Sequence, residues 1–265
     1  MARELVLIGI GAGNTDWVTQ AAVKAIQRLD VLFVVVKEKD LDEFVEVRRR
    51  IVAEHRDRPL RTVELHDPPR PWRSTPDYPA AGGPRPPPPH PPGGGPPWPP
   101  RGRPRGARGG APELGEGQTG GFLVWGDPSL YESTLAIVKQ LVAAAETEIS
   151  VQVIPGISSV MALAAAHQIP LNRQGRAVVI EPARLLAEGM PEGTDDVVAM
   201  LDGHQTFASI DPEGLDIYWG AYLGSPDQIL VHGDLATVRQ EILEVRAAAV
   251  DRKGWIFDTY LIRRR

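Results

Sequence analysis

The sequence predicts an α/β protein with two α/β domains, an N-terminal parallel sheet followed by a C-terminal mixed sheet. Three observations lead there. Buried-type apolar runs alternate with helical patterns in the first part of the chain. In the last third, strand-like runs follow one another with one strong helix among them. Between the two regular stretches of the first part lies a Pro/Gly-rich interruption at 68–112. Strand–helix alternation implies βαβ units and a parallel sheet, whereas strand after strand implies antiparallel or mixed pairing.

Taken in order, Leu5 to Ile10 is a continuous apolar run, as expected of a strand buried on both faces. A Gly-containing loop and a helical pattern from Trp17 to Arg28 follow. Val31 to Val36 is a second strand. Leu41 to His55 is helical, with Phe44, Val47, Ile51 and Val52 on one face. Leu60 to Leu65 is a third strand. After the interruption come a strand Phe122–Trp125, a helix Ser129–Ala145, a strand Val151–Ile154 and a helix Ile157–His167. The later strands are Ala177–Ile180, Val197–Leu201, Ile217–Tyr222, Ile229–Val231 and Trp255–Ile262, with the helix Leu235–Val250 among them. The change of character places the domain boundary at Pro155-Gly156, giving domains 1–155 and 156–265.

Residues 68–112 hold most of the 26 prolines and no Val, Ile, Leu, Met or Phe. Such a segment cannot form an apolar face, and proline removes the donors that helix and ladder need, so it is expected to be disordered. Two readings stay open. It is a Pro-rich linker or a ligand for a polyproline-binding module. Alternatively, GC-rich codons are read there out of frame, in place of a crossover helix. A long structureless stretch inside a compact domain favours the second.

Composition narrows the function classes. The chain has 265 residues, 42% of them apolar, and a net charge of −5. That charge argues against bulk electrostatic binding of nucleic acid. There is no cysteine, so disulfides, thiolate catalysis and Cys-ligated zinc are excluded. The N-terminal apolar run is too short for a signal peptide or a membrane span. A soluble cytoplasmic protein without membrane attachment is expected. The histidines His55, His66, His90, His167, His204 and His232 lack ligand spacing, and no metal site is expected.

Three segments combine turn and hydroxyl chemistry at strand ends. Gly9-Ile10-Gly11-Ala12-Gly13-Asn14-Thr15-Asp16 follows the first strand. It supplies half of a dinucleotide fingerprint but lacks the third glycine and an acidic residue after Val36. A plain structural turn remains an equal reading. Val124-Trp125-Gly126-Asp127-Pro128-Ser129-Leu130-Tyr131 follows the strand after the interruption. Asp127 before Pro128 fits a helix cap, but this leaves Trp125, Gly126 and the clustered hydroxyls unexplained. Val153-Ile154-Pro155-Gly156-Ile157-Ser158-Ser159-Val160 places serines at a helix start, where capping is the simpler reading. Ligands of open α/β sheets bind outside the carboxyl ends of strands, so the three segments outline one pocket. No nucleophile–base pair is among them. Such a pocket suits a cosubstrate that already carries its leaving group, with proximity and water exclusion supplying much of the catalysis.

The motifs GIGAGNTDWVT, VWGDPSLYESTL and VIPGISSVMALAAAHQIPLN together resemble the tetrapyrrole (corrin/porphyrin) methylase family. Outside 68–112 the resemblance covers the whole chain. It implies two α/β domains with S-adenosyl-L-methionine as cosubstrate in the cleft between them. Trp125, Ile217–Gly224 and the ending Lys253–Leu261 resemble the members acting on precorrin-5 in cobalamin biosynthesis. The implied reaction is methylation at C1 with loss of the C20-derived acetyl group as acetate. By the same resemblance Trp125, Gly126, Asp127 and Leu130 meet the amino-acid part and ribose of the cosubstrate. Ser158 and Ser159 stand beside them, Met200 packs on the adenine, and Leu223 contacts the base through its backbone. For Met200 and Leu223 a plain core role stays open. Ala12 stands where many relatives have proline. Asp16 and Tyr131 are the candidates for acid–base work in acetate release. A homodimer is implied by resemblance alone. Another precorrin methyltransferase, or a non-catalytic Pro-rich interaction protein, are the alternatives.

Overall fold

The computed structural model describes residues 2–36, 42–66, 114–145 and 147–265, and the interruption at 68–112 lies outside them. The first sheet contains β1 (Arg3–Gly9), β2 (Val31–Val36), β3 (Arg61–His66), β4 (Thr119–Val124) and β5 (Ile149–Ile154), in the order β3-β2-β4-β1-β5. Every pairing in it is parallel. The two faces of its strands are covered by different helices. Val6, Ile8, Leu32 and Leu123 pack with Ala22, Ala25 and Ile26 of α1 (Gln20–Arg28) and with Val47 and Ile51 of α2 (Asp42–His55). Leu5, Leu7, Phe33 and Phe122 pack with Val138 of α3 (Thr134–Ala143) on the other side. Burial on both faces explains the unbroken apolar runs in β1 and β2. Of the expected apolar face of α2, Val47 and Ile51 are buried and the side chain of Phe44 lies outside the described residues.

The second sheet is mixed. Its strands are β6 (Val178–Pro182), β7 (Asp196–Met200), β8 (Leu215–Ala221), β9 (Ile229–Asp234) and β10 (Asp258–Arg264), in the order β6-β7-β10-β8-β9. Only β6 and β7 run parallel; the other three pairings are antiparallel. One face packs on α6 (Leu235–Lys253) and the one-turn α5 (Ala183–Leu186), around Phe207, Trp219 and Tyr260. The other face, with Val198 and Leu261, packs on Val160, Ala162 and Leu163 of α4 (Ser159–Ala166). So α4, although it follows a strand of the first sheet, lies with the second.

Element types follow the sequence pattern, and local chemistry moves the ends. The helix expected from Trp17 starts at Gln20, because the Thr19 hydroxyl accepts the Ala22 amide at 3.1 Å and so caps the chain there. Thr15–Trp17 forms a separate 3₁₀ turn. The helix expected from Ser129 starts at Thr134. Tyr131 stands in the left-handed region (φ 52), and the Glu132 carboxylate takes both the amide and the hydroxyl of Thr134. Asp127 is therefore not the cap of α3. The strand expected from Trp255 starts at Asp258, since Trp255 and Phe257 are drawn into ring contacts first. The last helix runs to Lys253, beyond the expected Val250, and Gly254 stops it at φ 75. No described helix is long and apolar enough to cross a membrane.

Candidate active site

In the first sheet β4 inserts between β1 and β2, while β5 adds on the far side of β1. This is the switch in strand order at which open sheets leave a crevice. The loops leaving β1, β4 and β5 meet there almost backbone to backbone. A methyl group at Gly156 would lie 2.2 Å from the Gly126 carbonyl oxygen and 2.8 Å from the carbonyl carbon of Gly9. A methyl at Gly9 would lie 2.5 Å from the Gly156 nitrogen. Only glycine permits these approaches. Gly11 and Gly126 also exchange backbone hydrogen bonds, the Gly126 amide donating at 2.8 Å and the Gly11 amide at 3.3 Å.

Asp127 ties this junction. One carboxylate oxygen accepts the Gly156 amide at 2.9 Å, and the other accepts the Ser129 amide at 2.8 Å and the Ser129 hydroxyl. Partial burial works to raise its pKa, but the bonds from Ser129 and Gly156 outweigh it. They hold the carboxyl below the ordinary carboxylate range. Leu130 follows, its amide donating to the Asp127 carbonyl at 3.2 Å. Tyr131 reaches across to the second sheet, and its hydroxyl donates to the Ile180 carbonyl of β6 at 2.9 Å. Burial first, and then the nearby Glu181, push that phenol up. Asp16 lies exposed in the 3₁₀ turn, its amide held by Asn14 at 2.9 Å.

The second sheet contributes the opposite wall. Leu130 and Ala12 from the first-sheet loops pack in one cluster with Met200, Leu223, Val160 and Leu163. Gly13 lies so near that a methyl there would stand 3.3 Å from the Leu223 carbonyl oxygen and 3.5 Å from the Trp125 ring. Trp17 lies equally close over Gly224, where a methyl would fall 2.7 Å from the ring. Met200 ends β7, and Leu201 beyond it takes a left-handed backbone (φ 59) and is 64% exposed. Ser158 is buried and caps α4, accepting the Met161 amide at 3.4 Å. Its neighbour Ser159 hydrogen-bonds the Thr259 hydroxyl at 3.1 Å. Both serines thus have structural partners, in keeping with the capping reading for Ser158.

Beneath this wall lies a buried polar network. Asp202 accepts the Thr206 amide at 2.7 Å, the His204 amide at 3.0 Å and the Tyr260 hydroxyl at 2.8 Å. Arg246 donates to the Asp202 carbonyl at 3.1 Å and to Asp258 at 2.9 Å, and the Trp219 indole also donates to Asp258. Burial pushes the Asp258 carboxyl up despite Arg246. Burial and Asp202 together push the Tyr260 phenol far up. The network fixes the loop after β7 and the start of β10.

Trp125, Gly126, Asp127, Leu130, Met200 and Leu223 therefore lie along one seam between the sheets. Ser158 and Ser159 are at the start of the helix beside it. Tyr131 spans the seam and Asp16 stands at its outer edge. Two residues went unnoticed in the sequence. Glu181, at the end of β6, has a buried carboxylate oxygen without a hydrogen-bond partner and is pushed up by burial. Leu201 exposes its side chain next to Met200. Nothing in the pattern Val178–Pro182 marks Glu181, whose place depends on the docking of Tyr131. Among the described residues no cluster of three or more His, Asp or Glu could hold a metal ion.

Comparison with known proteins gives one consistent answer. The family model for Tetrapyrrole (Corrin/Porphyrin) Methylases matches residues 4–239. A precorrin-6A synthase [deacetylating] from Sinorhizobium sp is 41% identical over 263 residues, 99% of this chain and 95% of that one. Among solved structures, a cobalamin synthesis related protein from Corynebacterium diphtheriae superposes with a TM-score of 0.77 at 27% identity. That match covers 100% of this chain and 99% of the other. A uroporphyrin-III C-methyl transferase from Thermus thermophilus, complexed with S-adenosylhomocysteine, shares the fold with a TM-score of 0.54 at 17% identity. It covers 98% of this chain and 92% of its own.

Proposed function

The chain belongs to the tetrapyrrole (corrin/porphyrin) methylases, and from that premise we propose that it is an S-adenosylmethionine-dependent C-methyltransferase of cobalamin biosynthesis. It methylates precorrin-5 at C1 and releases the C20-derived acetyl group as acetate, giving precorrin-6A. One observation carries the reading: the 41% identity to a precorrin-6A synthase [deacetylating] across 99% of the chain. The seam that sets Gly13 beside Leu223 and Trp125, with Leu130 and Met200 in one cluster, supports that reading.

The seam fits S-adenosylmethionine in its chemistry. Glycines at 13 and 126 leave backbone bare where side chains would fill the space. Met200 and Leu223 offer apolar surface for a base, and Asp127 keeps its loop ionised and ordered for the polar end. Trp125, Gly126, Asp127, Leu130, Ser158, Ser159, Met200 and Leu223 are the residues we assign to hold it. When bound, it supplies an electrophilic methyl on a sulfonium, whose leaving group is a neutral thioether. The tetrapyrrole carbon is the nucleophile, so the protein needs no nucleophilic side chain. Its own work is alignment and exclusion of water from the methyl. Acetate release consumes one water, and we assign its proton handling to Asp16 and Tyr131. Tyr131 reaches across the seam, where its hydroxyl donates to the Ile180 carbonyl at 2.9 Å.

We further assign residues 1–155 and 156–265 to two domains. The passage from one sheet to the other after Ile154, with α4 lying on the second, supports this. A cytoplasmic homodimer is the form we propose, on family resemblance alone. Sedimentation tests the dimer. The function is tested by calorimetry with S-adenosylhomocysteine, followed by incubation with precorrin-5 or precorrin-4. Binding, and turnover of precorrin-5 alone, support the reading. Absence of binding by a folded sample overturns it.

A further inference from the structure

Where Tyr131 crosses the seam it meets a carboxylate that the reaction as described leaves unused. β6 is an edge strand of the second sheet. The Tyr131 hydroxyl donates to its Ile180 carbonyl at 2.9 Å, and the next residue is Glu181. Glu181 stands between two residues that border the seam. Ile180 packs in the cluster with Leu130, Met200 and Leu223, and Pro182 is in register with Met200.

One Glu181 carboxylate oxygen is buried, and no donor among the described residues reaches it. Burying an acceptor without a donor, or a charge without a partner, costs stability, so such a group calls for a functional explanation. The titratable and charged groups beside it are Tyr131, from the loop after β4, and Arg184 of α5. After burial, Glu181 pushes the phenol up and Arg184 pulls it down. Burial pushes the Glu181 carboxyl up as well. A tyrosine, with an ordinary pKa of about 10, takes a proton at neutral pH only if it passes its own on. Tyr131 has a carboxylate beside it to receive that proton.

We propose that Glu181 is a positioning residue of acetate release, which receives the proton of the attacking water through the Tyr131 hydroxyl. This rests on the function proposed above. Water adds to the acetyl carbonyl carbon and gives one proton to the Tyr131 oxygen. The Tyr131 hydroxyl turns from the Ile180 carbonyl to the carboxylate one residue on and gives up its own. The bond from the acetyl carbon to the macrocycle breaks, and its electron pair stays on the ring carbon that takes the methyl. The second water proton leaves with acetic acid, which ionises in solvent, and Glu181 returns its proton to solvent.

The test uses the full chain with Glu181→Gln, Glu181→Met, Tyr131→Phe and the double variant Tyr131→Phe/Glu181→Gln. Thermal melting, S-adenosylhomocysteine affinity, KM, and kcat against pH for acetate release from precorrin-5 are measured on each. Each single variant should lose about 100-fold in kcat, with cosubstrate affinity and KM held within about twofold. The double variant should lose about 100-fold too, because the two groups act as one unit. Wild-type kcat should rise with pH as Glu181 ionises, at a pH above the ordinary glutamate value of about 4.3, and Glu181→Gln should lose that limb. Both Glu181 variants should melt at or above the wild-type temperature, since an unpartnered carboxylate is removed. Wild-type kcat in Glu181→Gln, losses that multiply in the double variant, or a pH limb that survives it overturns the relay. Failure of both Glu181 variants to fold also overturns it, by making the carboxylate a structural group. If wild-type protein neither binds S-adenosylhomocysteine nor turns over precorrin-5, the functional reading fails first and takes this inference with it.

Discussion

Replacing Gly156 with alanine isolates the junction on which the site depends. The added methyl would lie 2.2 Å from the Gly126 carbonyl oxygen, 2.8 Å from the Gly9 carbonyl carbon and 2.9 Å from the Gly9 Cα. All three are backbone atoms of buried strand ends, so no side chain can swing aside. Overpacking of this kind costs about 1–3 kcal/mol, and rigid surroundings put Gly156→Ala near ~3 kcal/mol. At about 2–4 °C per kcal/mol for a chain of this size, the melting point should fall by about 6–12 °C. Relief requires the loops of β1, β4 and β5 to separate, which also pulls the Gly156 amide from Asp127. A displacement near 1 Å should then cost about 100-fold in turnover. The control is Gly203→Ala, where nothing lies within 4 Å, and its melting should move by no more than about 0.5 kcal/mol equivalent. Differential scanning calorimetry and methyl-transfer kinetics on both variants decide the matter. Wild-type melting and turnover in Gly156→Ala would refute the packing argument.

Four other expectations follow from the same geometry. Asp127→Asn removes an acceptor whose folded pKa is depressed. The stability it contributes is present above the unfolded value near ~3.9 and is lost as pH falls through the lower folded value. Acid melts below about pH 4 should therefore converge for variant and wild type, and parallel curves would contradict the assignment. Tyr131→Phe loses one hydrogen bond at the surface and about 1 kcal/mol or less of stability. If Tyr131 handles the proton in acetate release, kcat should drop about 100-fold, and a change confined to KM would reassign it to holding the seam. Arg246→Met removes the charged partner of the buried Asp258 carboxylate, leaving it the Trp219 indole, and removes the Arg246 donor to the Asp202 carbonyl. Chemical denaturation should show a loss of about 3–5 kcal/mol, and a neutral effect would mean the network is not strained by its removal. Reading the gene across codons 68–112 in all three frames should reveal an amphipathic helix in a shifted frame. The relative aligns along 95% of its length, so this segment stands in place of one of comparable size. A single frame throughout the gene would sink that reading.

The sequence made the strand–helix order and the split between a parallel and a mixed sheet readable, because both are written in hydrophobic periodicity. Leu5, Leu7 and Leu32 announce a two-faced core by their unbroken runs. The strand-end glycines were equally visible, since a turn with close backbone approach tolerates little else. What could not be read was which backbone each glycine approaches. Gly9, Gly126 and Gly156 lie far apart in the chain and meet only through the strand order β4-β1-β5. Boundaries missed for local reasons: the Thr19 cap, the left-handed Tyr131 and the aromatic draw on Trp255 each override propensity. Ser158 turned out to be a cap and Asp127 not to be one, because the same residue types serve turns, caps and ligands. Glu181 carries no sequence signature, since its setting comes from Tyr131 reaching across to β6.

The central claim is that methyl transfer and loss of acetate occur on the same molecule of substrate. Mass spectrometry of the tetrapyrrole product, with acetate and S-adenosylhomocysteine quantified in the same reaction, tests it most directly. Precorrin-5 should gain one methyl and lose one acetyl group, with both small products formed in equal amounts. A methylated product that retains its acetyl group, or turnover of precorrin-4 in place of precorrin-5, would contradict the account.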